Sequence, residues 1–187
     1  IPGNADDLGS SISSWAAGKW YHIVATISAD GFTKKIYIDG VFDTQDSPIV
    51  GRGLPASILA QIGSSVSGSD NFVGDIDDVR VYNRELTATE VTSLHNTSGG
   101  VRSGASTATL QGSGTGLSNG LVGLWTFDGA DVTDKIYDRS GNGNNGYYFG
   151  SATTSAKVVG KIGQGLFFDS VSEVFIGSPA SLDSIPV

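Results

Sequence analysis

The side chains best suited to chemistry in this sequence are oxygen donors in turn-rich segments. Of the 19 acidic residues, three are glutamates and the others are aspartates. In the segment DRSGNG, Asp138, Ser140 and Asn142 occupy alternate positions and Gly143 follows. This alternation with a glycine is typical of the start of a calcium-binding loop. An EF-hand would end in a bidentate acid, but that position is Phe149, so the sequence excludes an EF-hand.

Three more aspartates are candidates for the same chemistry. Asp128 follows a predicted strand, and Asp77 and Asp78 are neighbours in another. Adjacent carboxylates repel each other unless a cation or hydrogen-bond donors neutralise them. Two interpretations stay open at this point. Either these residues bind calcium, or Asp138 and Asn142 form Asx turns while Asp77 or Asp78 pairs with Arg80, Arg84 or backbone N–H groups.

Aromatic residues near turns are candidates for stacking against sugar rings. Tyr147, Tyr148 and Trp15 lie near turn-rich sequence, and Tyr148 and Trp15 are the predicted pair; Trp20 and Trp125 lie within predicted strands and are expected in the core. Successive strand residues point to opposite faces, so at most one of Tyr147 and Tyr148 should be exposed.

Composition and charge limit the class of function. The net charge is −8 and no basic stripe occurs, which argues against nucleic-acid binding. No apolar run is long enough to insert in a membrane, and the absence of cysteine excludes disulfides and thiol metal sites. The glutamates Glu85, Glu90 and Glu173 are scattered, with no glycosidase-type carboxylate pattern and no nucleophile elbow, so we predict no enzymatic activity.

Short alternating segments predict an all-β fold. Residues 19–27, KWYHIVATI, are apolar on both faces, which favours a strand inside a sandwich. Asp39-Gly40 predicts a hairpin with a type I′ turn. Residues 75–83, DIDDVRVYN, alternate as one strand. Further strands are predicted within 120–129, 160–170 and 172–177.

One short helix is predicted near residues 87–95. Thr87 and Glu90 have the spacing of a capping box, and Leu86 and Val91 that of a hydrophobic staple. Val91 and Leu94 would face the sandwich.

Residues 99–119 separate two ordered portions, 1–98 and 120–187. This segment is rich in Gly, Ser and Thr without apolar periodicity, which predicts a flexible linker. The chain opens with Ile-Pro rather than Met, which favours a mature or excerpted chain.

Both portions resemble the laminin G-like (LamG) domain, a jelly-roll β-sandwich of the concanavalin A-like lectin/glucanase superfamily. The segments GLVGLWTFDG, DRSGNGNNGYYFG and GQGLFFDSVSEVFIG are similar to the beginning of such a domain. The segments AGKWYHIVATI and DIDDVRVYNRELTATEV are similar to its end. The order is therefore inverted, and the family's middle strands match neither portion. Either the chain is a window across tandem repeats, or the portions complete one sandwich within a chain or between neighbouring chains.

The resemblance implies a non-enzymatic module of a repetitive extracellular or cell-surface protein, acting in adhesion or in a filament. Its partners would be neighbouring repeats or identical subunits. The alternative is a carbohydrate-binding module of a larger secreted protein, binding glycans through Tyr148 and Trp15. A purely structural subunit is a third interpretation. Members of the family often carry calcium on loop aspartates, and the residues that match are Asp128, Asp138, Asn142, Asp77 and Asp78.

Overall fold

Antiparallel strands dominate the regular structure of this protein. The computed structural model describes residues 8–46, 60–65, 70–97, 116–150 and 156–177. One α-helix lies within these ranges, so the predicted all-β class with a short helix is confirmed. The strands are β1 Ile23–Ile27, β2 Lys34–Ile38, β3 Val41–Asp46, β4 Ala60–Ile62, β5 Gly74–Ile76, β6 Val79–Tyr82, β7 Leu121–Trp125, β8 Tyr147–Phe149, β9 Lys157–Val159, β10 Gln164–Phe168 and β11 Glu173–Gly177. The helix is α1 Ala88–Thr97, and short 3-10 turns span Gly116–Ser118 and Gly129–Asp131.

The chain divides into two compact units. Of the described elements, the first unit contains β1, β2, β3 and α1, and the second contains β4 to β11. Most of the predicted linker lies outside the described residues. The predicted portions 1–98 and 120–187 stay predictions.

The first unit is built on the sheet β1-β2-β3. The turn between β2 and β3 has φ of 50° at Asp39 and 79° at Gly40. Positive φ at both central residues is the requirement of a type I′ turn, so the predicted hairpin is confirmed. Asp39 Oδ1 also accepts a hydrogen bond of 2.9 Å from the backbone N–H of His22, which ties the start of β1 to this turn.

Strand β1 is not enclosed on both faces, contrary to the expectation for residues 19–27. Thr26 is buried, whereas Ile23 and Ile27 on the other face are 59% and 40% exposed. Among the described residues of this unit, α1 is the only regular element besides the sheet. The alternation within β1 is confirmed, whereas the predicted burial of both of its faces is wrong.

The capping box sets the start of α1. The backbone N–H of Glu90 donates to Thr87 Oγ1 at 3.3 Å, and that of Thr87 donates to Glu90 Oε2 at 2.9 Å. Leu86, Val91 and Leu94 are buried, as the predicted staple and helix face require. The helix therefore begins where the sequence predicts, and it ends at Thr97, two residues beyond the predicted end at residue 95.

Strands from both sides of residues 98–115 pair with each other in the second unit. Strand β4 pairs with β11, β5 with β10, and β6 with β7, all antiparallel. The resulting sheets are β4-β11-β8, β5-β10-β9 and β6-β7. Segments that resemble the end of a domain are thus hydrogen-bonded to segments that resemble its beginning, within one chain.

The segment DIDDVRVYN forms two strands, not the single predicted one. Strand β5 ends at Ile76 and β6 begins at Val79, and they belong to different sheets. Between them Asp78 has a φ of 52°, a left-handed conformation that interrupts the alternation of an extended strand. The chain therefore changes sheets at Asp77 and Asp78, and the two carboxylates lie at this corner.

The core of the second unit is centred on β7, β10 and β11. Trp125, Leu166, Phe168 and Val174 are fully buried in one cluster, which confirms Trp125 as a core residue. The partly buried residues packed against this cluster include Ile62, Ile76, Val79, Val81 and Tyr148. Both portions of the sequence therefore contribute to one apolar core.

Candidate functional site

The loop at 138–146 is organised by the carboxylate of Asp138. Its Oδ1 accepts hydrogen bonds from the backbone N–H groups of Leu124 at 2.9 Å and Ser140 at 2.8 Å. Its Oδ2 accepts from the hydroxyl of Ser140 at 2.8 Å and the backbone N–H of Asn144 at 2.9 Å. A carboxylate has about four lone-pair positions, and here four donors use them. Asp138 therefore holds the loop against β7 without needing a cation.

The asparagines of this loop bind the adjoining strand. Asn142 Nδ2 donates to the backbone carbonyls of Leu121 at 3.0 Å and Val122 at 3.2 Å. The buried Asn144 Nδ2 donates to Val122 at 2.6 Å, and the indole of Trp125 donates to the Asn144 carbonyl at 2.9 Å. The alternating polar residues that suggested calcium ligands thus also serve as partners for the backbone of β7.

Asp77 and Asp128 hold the turn between β9 and β10. Asp77 Oδ2 accepts a hydrogen bond of 2.9 Å from the Ile162 backbone N–H. Asp128 Oδ1 accepts one of 2.9 Å from Gln164. A Cβ at Gly163 would lie 2.2 Å from Asp128 Oδ1, and the φ of Gly163 is +67°. The close approach of the carboxylate and the left-handed backbone both require glycine here.

Asp77 is the electrostatically unusual group of the second unit. Burial raises its pKa to about 6, and the neighbouring charges of Asp78 and Asp128 act in the same direction. Its Oδ1 is buried and has no hydrogen-bond partner in the described part of the chain. The guanidinium of Arg80 lies 3.7 Å from the carboxylate of Asp78. This is the ion pair that was predicted as the alternative to calcium binding.

The candidate calcium ligands do not form one cluster. Asp77 and Asp128 accept hydrogen bonds from the β9–β10 turn, and Asp78 pairs with Arg80. Asp138 and Asn142 instead bind the backbone of β7. In the described residues no group of three or more His, Cys, Asp or Glu side chains is placed to hold a metal. Calcium takes six to eight oxygen ligands, so these side chains by themselves fit it poorly. Calcium binding at these residues stays a prediction.

The two candidate sugar-binding aromatics lie in different units and have different surroundings. Tyr148 faces the core, where its ring centroid is 6.1 Å from that of Phe168 and its hydroxyl lies 3.0 Å from Ser172 Oγ. Trp15 is 45% exposed, and its ring packs edge-on against Tyr21 at 4.8 Å. Trp15 therefore has the exposure that stacking on a sugar requires, whereas the ring of Tyr148 is engaged in the core.

The exposed aromatics of β8 lie on either side of Tyr148, and of these the sequence indicated Tyr147 as an alternative and missed Phe149. Tyr147 is 47% exposed and Phe149 is 54% exposed. The alternation of Tyr147, Tyr148 and Phe149 indicated that one face of β8 is exposed, but it did not indicate which one. Val174 on the pairing strand is fully buried and lies opposite Tyr148, and this contact assigns Tyr148 to the core.

Two of the three glutamates are engaged in ion pairs. Glu85 Oε1 lies 2.7 Å from Lys35 Nζ, and Glu90 Oε1 lies 2.6 Å from Arg84. Hydrogen bonds from Arg84 lower the pKa of Glu90 to about 2. Glu90 is therefore charged at neutral pH, and both glutamates are held by cationic partners, which suits structural roles.

Comparison with known families gives a match in the N-terminal part of the chain. Residues 2–92 match a family model described as the concanavalin A-like lectin/glucanases superfamily. Comparisons with curated proteins and with solved structures give no match. No helix of the described residues has the length and hydrophobicity needed to cross a membrane.

Proposed function

We propose a function from the premise that residues 2–92 form a LamG-like segment of the concanavalin A-like superfamily. Domains of this kind are generally extracellular, and typically bind rather than catalyse. The proposal is that this chain is a non-enzymatic module of a repetitive surface protein or filament, and that it assembles by strand complementation between neighbouring repeats or identical subunits.

The observation that carries the proposal is the pairing of β4, β5 and β6 with β11, β10 and β7. Each of these pairs joins a strand before residues 98–115 to a strand after them. An antiparallel pair places no requirement on whether its strands belong to one chain or to two. The same three pairs can therefore form between copies, and a chain that donates strands to one neighbour and accepts them from another produces a linear polymer.

Exposed apolar residues on the edge strands of the first unit support the same proposal. Ile23 on β1 is 59% exposed and Val41 on β3 is 68% exposed, on either side of the buried Ile38 of the central strand. Exposed apolar side chains of this kind gain free energy when another layer covers them. Neighbouring repeats that supply the family's middle strands would provide that layer.

Cysteine cross-linking of the full chain tests whether the pairing is exchanged. Asp75 and Phe167 lie directly opposite each other in β5 and β10, and both side chains are exposed. Opposite Cβ atoms are about 4.5–5.5 Å apart, which is close to disulfide geometry. The chain contains no native cysteine to compete. When the Asp75→Cys/Phe167→Cys variant is oxidised at low protein concentration, we expect mainly monomers with an internal disulfide. When it is oxidised at high protein concentration, we expect a series of covalent oligomers.

A control pair separates specific exchange from random collision. Val159→Cys combined with Asp75→Cys places two exposed thiols on strands that are not paired with each other. This variant should form few oligomers at the same concentration. A double variant that gives only internal disulfides at every concentration would remove the filament part of the proposal.

Carbohydrate binding is the second candidate function, and the exposure of Trp15 favours it. Tyr21, which packs against the Trp15 ring, accepts a 3.0 Å hydrogen bond on its hydroxyl from the Ala16 backbone N–H. The indole is thus held in place before any ligand arrives, which lowers the entropic cost of binding. Glycan-array binding that is lost in Trp15→Ala and kept in Trp15→Phe is the expected result. Equal binding by Trp15→Ala would exclude this residue from the site.

A further inference from the structure

The sheet β4-β11-β8 has an outward face that carries three aromatic rings. Tyr147 on β8 lies opposite Phe175 on β11, and Phe149 lies opposite Glu173. Directly opposite residues of antiparallel strands point to the same side. Val174, between Glu173 and Phe175 in the chain, is fully buried, so these four side chains point away from the core. Tyr147, Phe149 and Phe175 are called the aromatic face below.

The aromatic face is accessible and ordered. Tyr147 is 47% exposed and Phe149 is 54% exposed. The rings of Phe149 and Phe175 pack edge to face with centroids 6.4 Å apart, which holds them in a defined orientation. A cluster of exposed apolar side chains gains free energy when a partner covers it, and aromatic residues are enriched at the centre of protein interfaces. The aromatic face therefore suits contact with another protein surface.

A positive charge lies at one side of the aromatic face. Lys135 precedes Ile136, whose backbone exchanges two hydrogen bonds of 2.8 Å with Gly146. Successive residues of a strand direct their backbone groups to alternate sides, so this bridge lies on the side of β8 away from β11. Lys135 is therefore beside Tyr147, and its Nζ lies 5.7 Å from the ring centroid.

A negative charge lies at the other side, on β11. Glu173 Oε2 accepts hydrogen bonds from Gln61 Nε2 at 3.0 Å and from Ser64 Oγ at 2.5 Å. These two bonds hold the carboxylate in position before any partner arrives. The two rings of β8 thus lie between the ammonium group of Lys135 and a fixed carboxylate.

We propose that the aromatic face is a two-fold interface between two copies of this chain. Charges of opposite sign on either side of the rings make the surface complementary to itself. A two-fold axis in the plane of the interface brings Lys135 of each copy to Glu173 of the other, and the rings of both copies pack against each other at the centre. An apolar centre with a charged rim is the usual anatomy of an interface, and a two-fold contact closes as a dimer.

The charges favour a second copy over another partner. Any occupant must present an anion and a cation at the spacing of Lys135 and Glu173 around an apolar centre, and the chain itself presents this arrangement. The net charge of −8 makes two copies repel each other at long range. Salt at physiological ionic strength screens interactions beyond about 8 Å, so the close pairs of opposite charge prevail over this repulsion.

Sedimentation of the wild-type chain tests the interface without any substitution. We expect a monomer–dimer equilibrium between micromolar and millimolar protein concentration, because an interface built on three short strands is small. The NMR signals of Tyr147, Phe149 and Phe175 should shift over the same concentration range. A chain that stays monomeric throughout would overturn the proposal. If an added glycan or another protein then shifted these signals, the aromatic face would belong to that partner.

This contact needs no exchange of strands, so its failure can be separated from failure of the proposed function. In oxidised Asp75→Cys/Phe167→Cys chains isolated as monomers, the disulfide keeps β5 paired with β10 of the same chain. These chains should still form dimers, whether or not the unlinked protein exchanges strands. If they stay monomeric while the wild type associates, association requires strand exchange and the two-fold interface is wrong.

Charge reversal tests the pairing across the interface. Lys135→Glu and Glu173→Lys each bring like charges together, and each alone should weaken the dimer about tenfold or more. An equimolar mixture of the two variants restores opposite charges at both contacts and should dimerise nearly as well as the wild type. A mixture of folded variants that associates no better than its components would overturn the two-fold arrangement. If Glu173→Lys does not fold, Glu173→Gln keeps an acceptor for Gln61 and Ser64 and should still weaken the dimer.

Variants of the rings measure the apolar contribution. Tyr147→Ala/Phe149→Ala should weaken the dimer about tenfold or more, whereas Tyr147→Phe should leave it nearly unchanged. Phe167→Ala is the matched control, because Phe167 is 40% exposed but lies on β10 in another sheet. Its dimerisation should equal that of the wild type. The opposite pattern, in which the double variant dimerises normally and the control does not, would place the interface elsewhere.

Discussion

The carboxylate of Asp77 and the backbone N–H of Ile162 are joined by a 2.9 Å hydrogen bond, although the residues are 85 positions apart in the chain. This bond ties the corner between β5 and β6 to the turn between β9 and β10. It therefore links the two portions of the sequence that the glycine-rich segment separates. The same carboxylate is partly buried beside two other aspartates, so its contribution to stability depends on pH.

Replacement of Asp77 by Asn should stabilise the protein at neutral pH. The pKa of Asp77 is raised from 3.8 to about 6, so between these values the folded state binds more protons than the unfolded state. Stability from this group is fully present below pH 4 and is lost as the pH rises through 6. Asparagine keeps an acceptor for Ile162 and has no charge. After allowance for screening of a partly exposed group, we expect a gain of about 1 kcal/mol at pH 7.5 and none at pH 4.

Denaturant unfolding at the two pH values measures this difference. Asp75→Asn, a change at an exposed aspartate two residues away, is the control and should have little effect at either pH. A gain for Asp77→Asn of equal size at both pH values would show that burial of its charge is not the cause.

Replacement of Asp138 by Asn should destabilise the second unit whether or not calcium is present. The amide N–H₂ of asparagine would point donors at groups that already donate to Asp138, since all four of its hydrogen-bond partners are donors. We expect a loss of about 2 kcal/mol in unfolding free energy. Thermal unfolding with calcium and with a chelator is the measurement. A loss that occurs only in the presence of calcium would instead support a role of Asp138 as a metal ligand.

Replacement of Gly163 by Ala should be destabilising, and removal of the Asp128 side chain should recover part of the loss. A Cβ at this position meets Asp128 Oδ1 at 2.2 Å and also occupies a backbone with φ of +67°. We expect Gly163→Ala to cost about 1–3 kcal/mol. In an Asp128→Ala background, Gly163→Ala should lose the cost of the clash with the carboxylate and keep the cost of the left-handed backbone. A double-mutant cycle gives the coupling directly, and strictly additive effects would contradict the contact.

The capping box of α1 predicts both a mutational and a pH effect. Thr87→Ala should cost about 1 kcal/mol, whereas Thr87→Ser keeps the capping hydroxyl and should be nearly neutral. Arg84 lowers the pKa of Glu90 to about 2, below its usual 4.5. The stability from this ion pair is therefore present above pH 4.5 and is lost as the pH falls towards 2. The Glu90→Gln variant retains the cap but not the charge. In acid unfolding, its stability should therefore not show the decrease between pH 4.5 and 2 that protonation of Glu90 causes in the wild type.

The sequence by itself determined the features whose cause lies within a few residues. The Asp39-Gly40 turn is specified by backbone conformations that few other residues adopt. The start of α1 is specified by Thr87 and Glu90, which satisfy each other's backbone N–H groups. The all-β class follows from alternation that repeats along the chain, and the burial of Trp125 follows from its position in a strongly apolar strand.

Only the tertiary structure decided which sheet, face or partner each segment takes. Alternation showed that Tyr147 and Tyr148 point in opposite directions, but the contact of Tyr148 with Phe168 selected the inward one. One apparent strand became β5 and β6 because Asp78 adopts a left-handed conformation at the point where the chain changes sheets. The pairing of β6 with β7 joins residues about forty positions apart, and no local preference encodes such a pair. Register and sheet membership depend on long-range burial, which is a property of the whole fold and is absent from any short stretch of sequence.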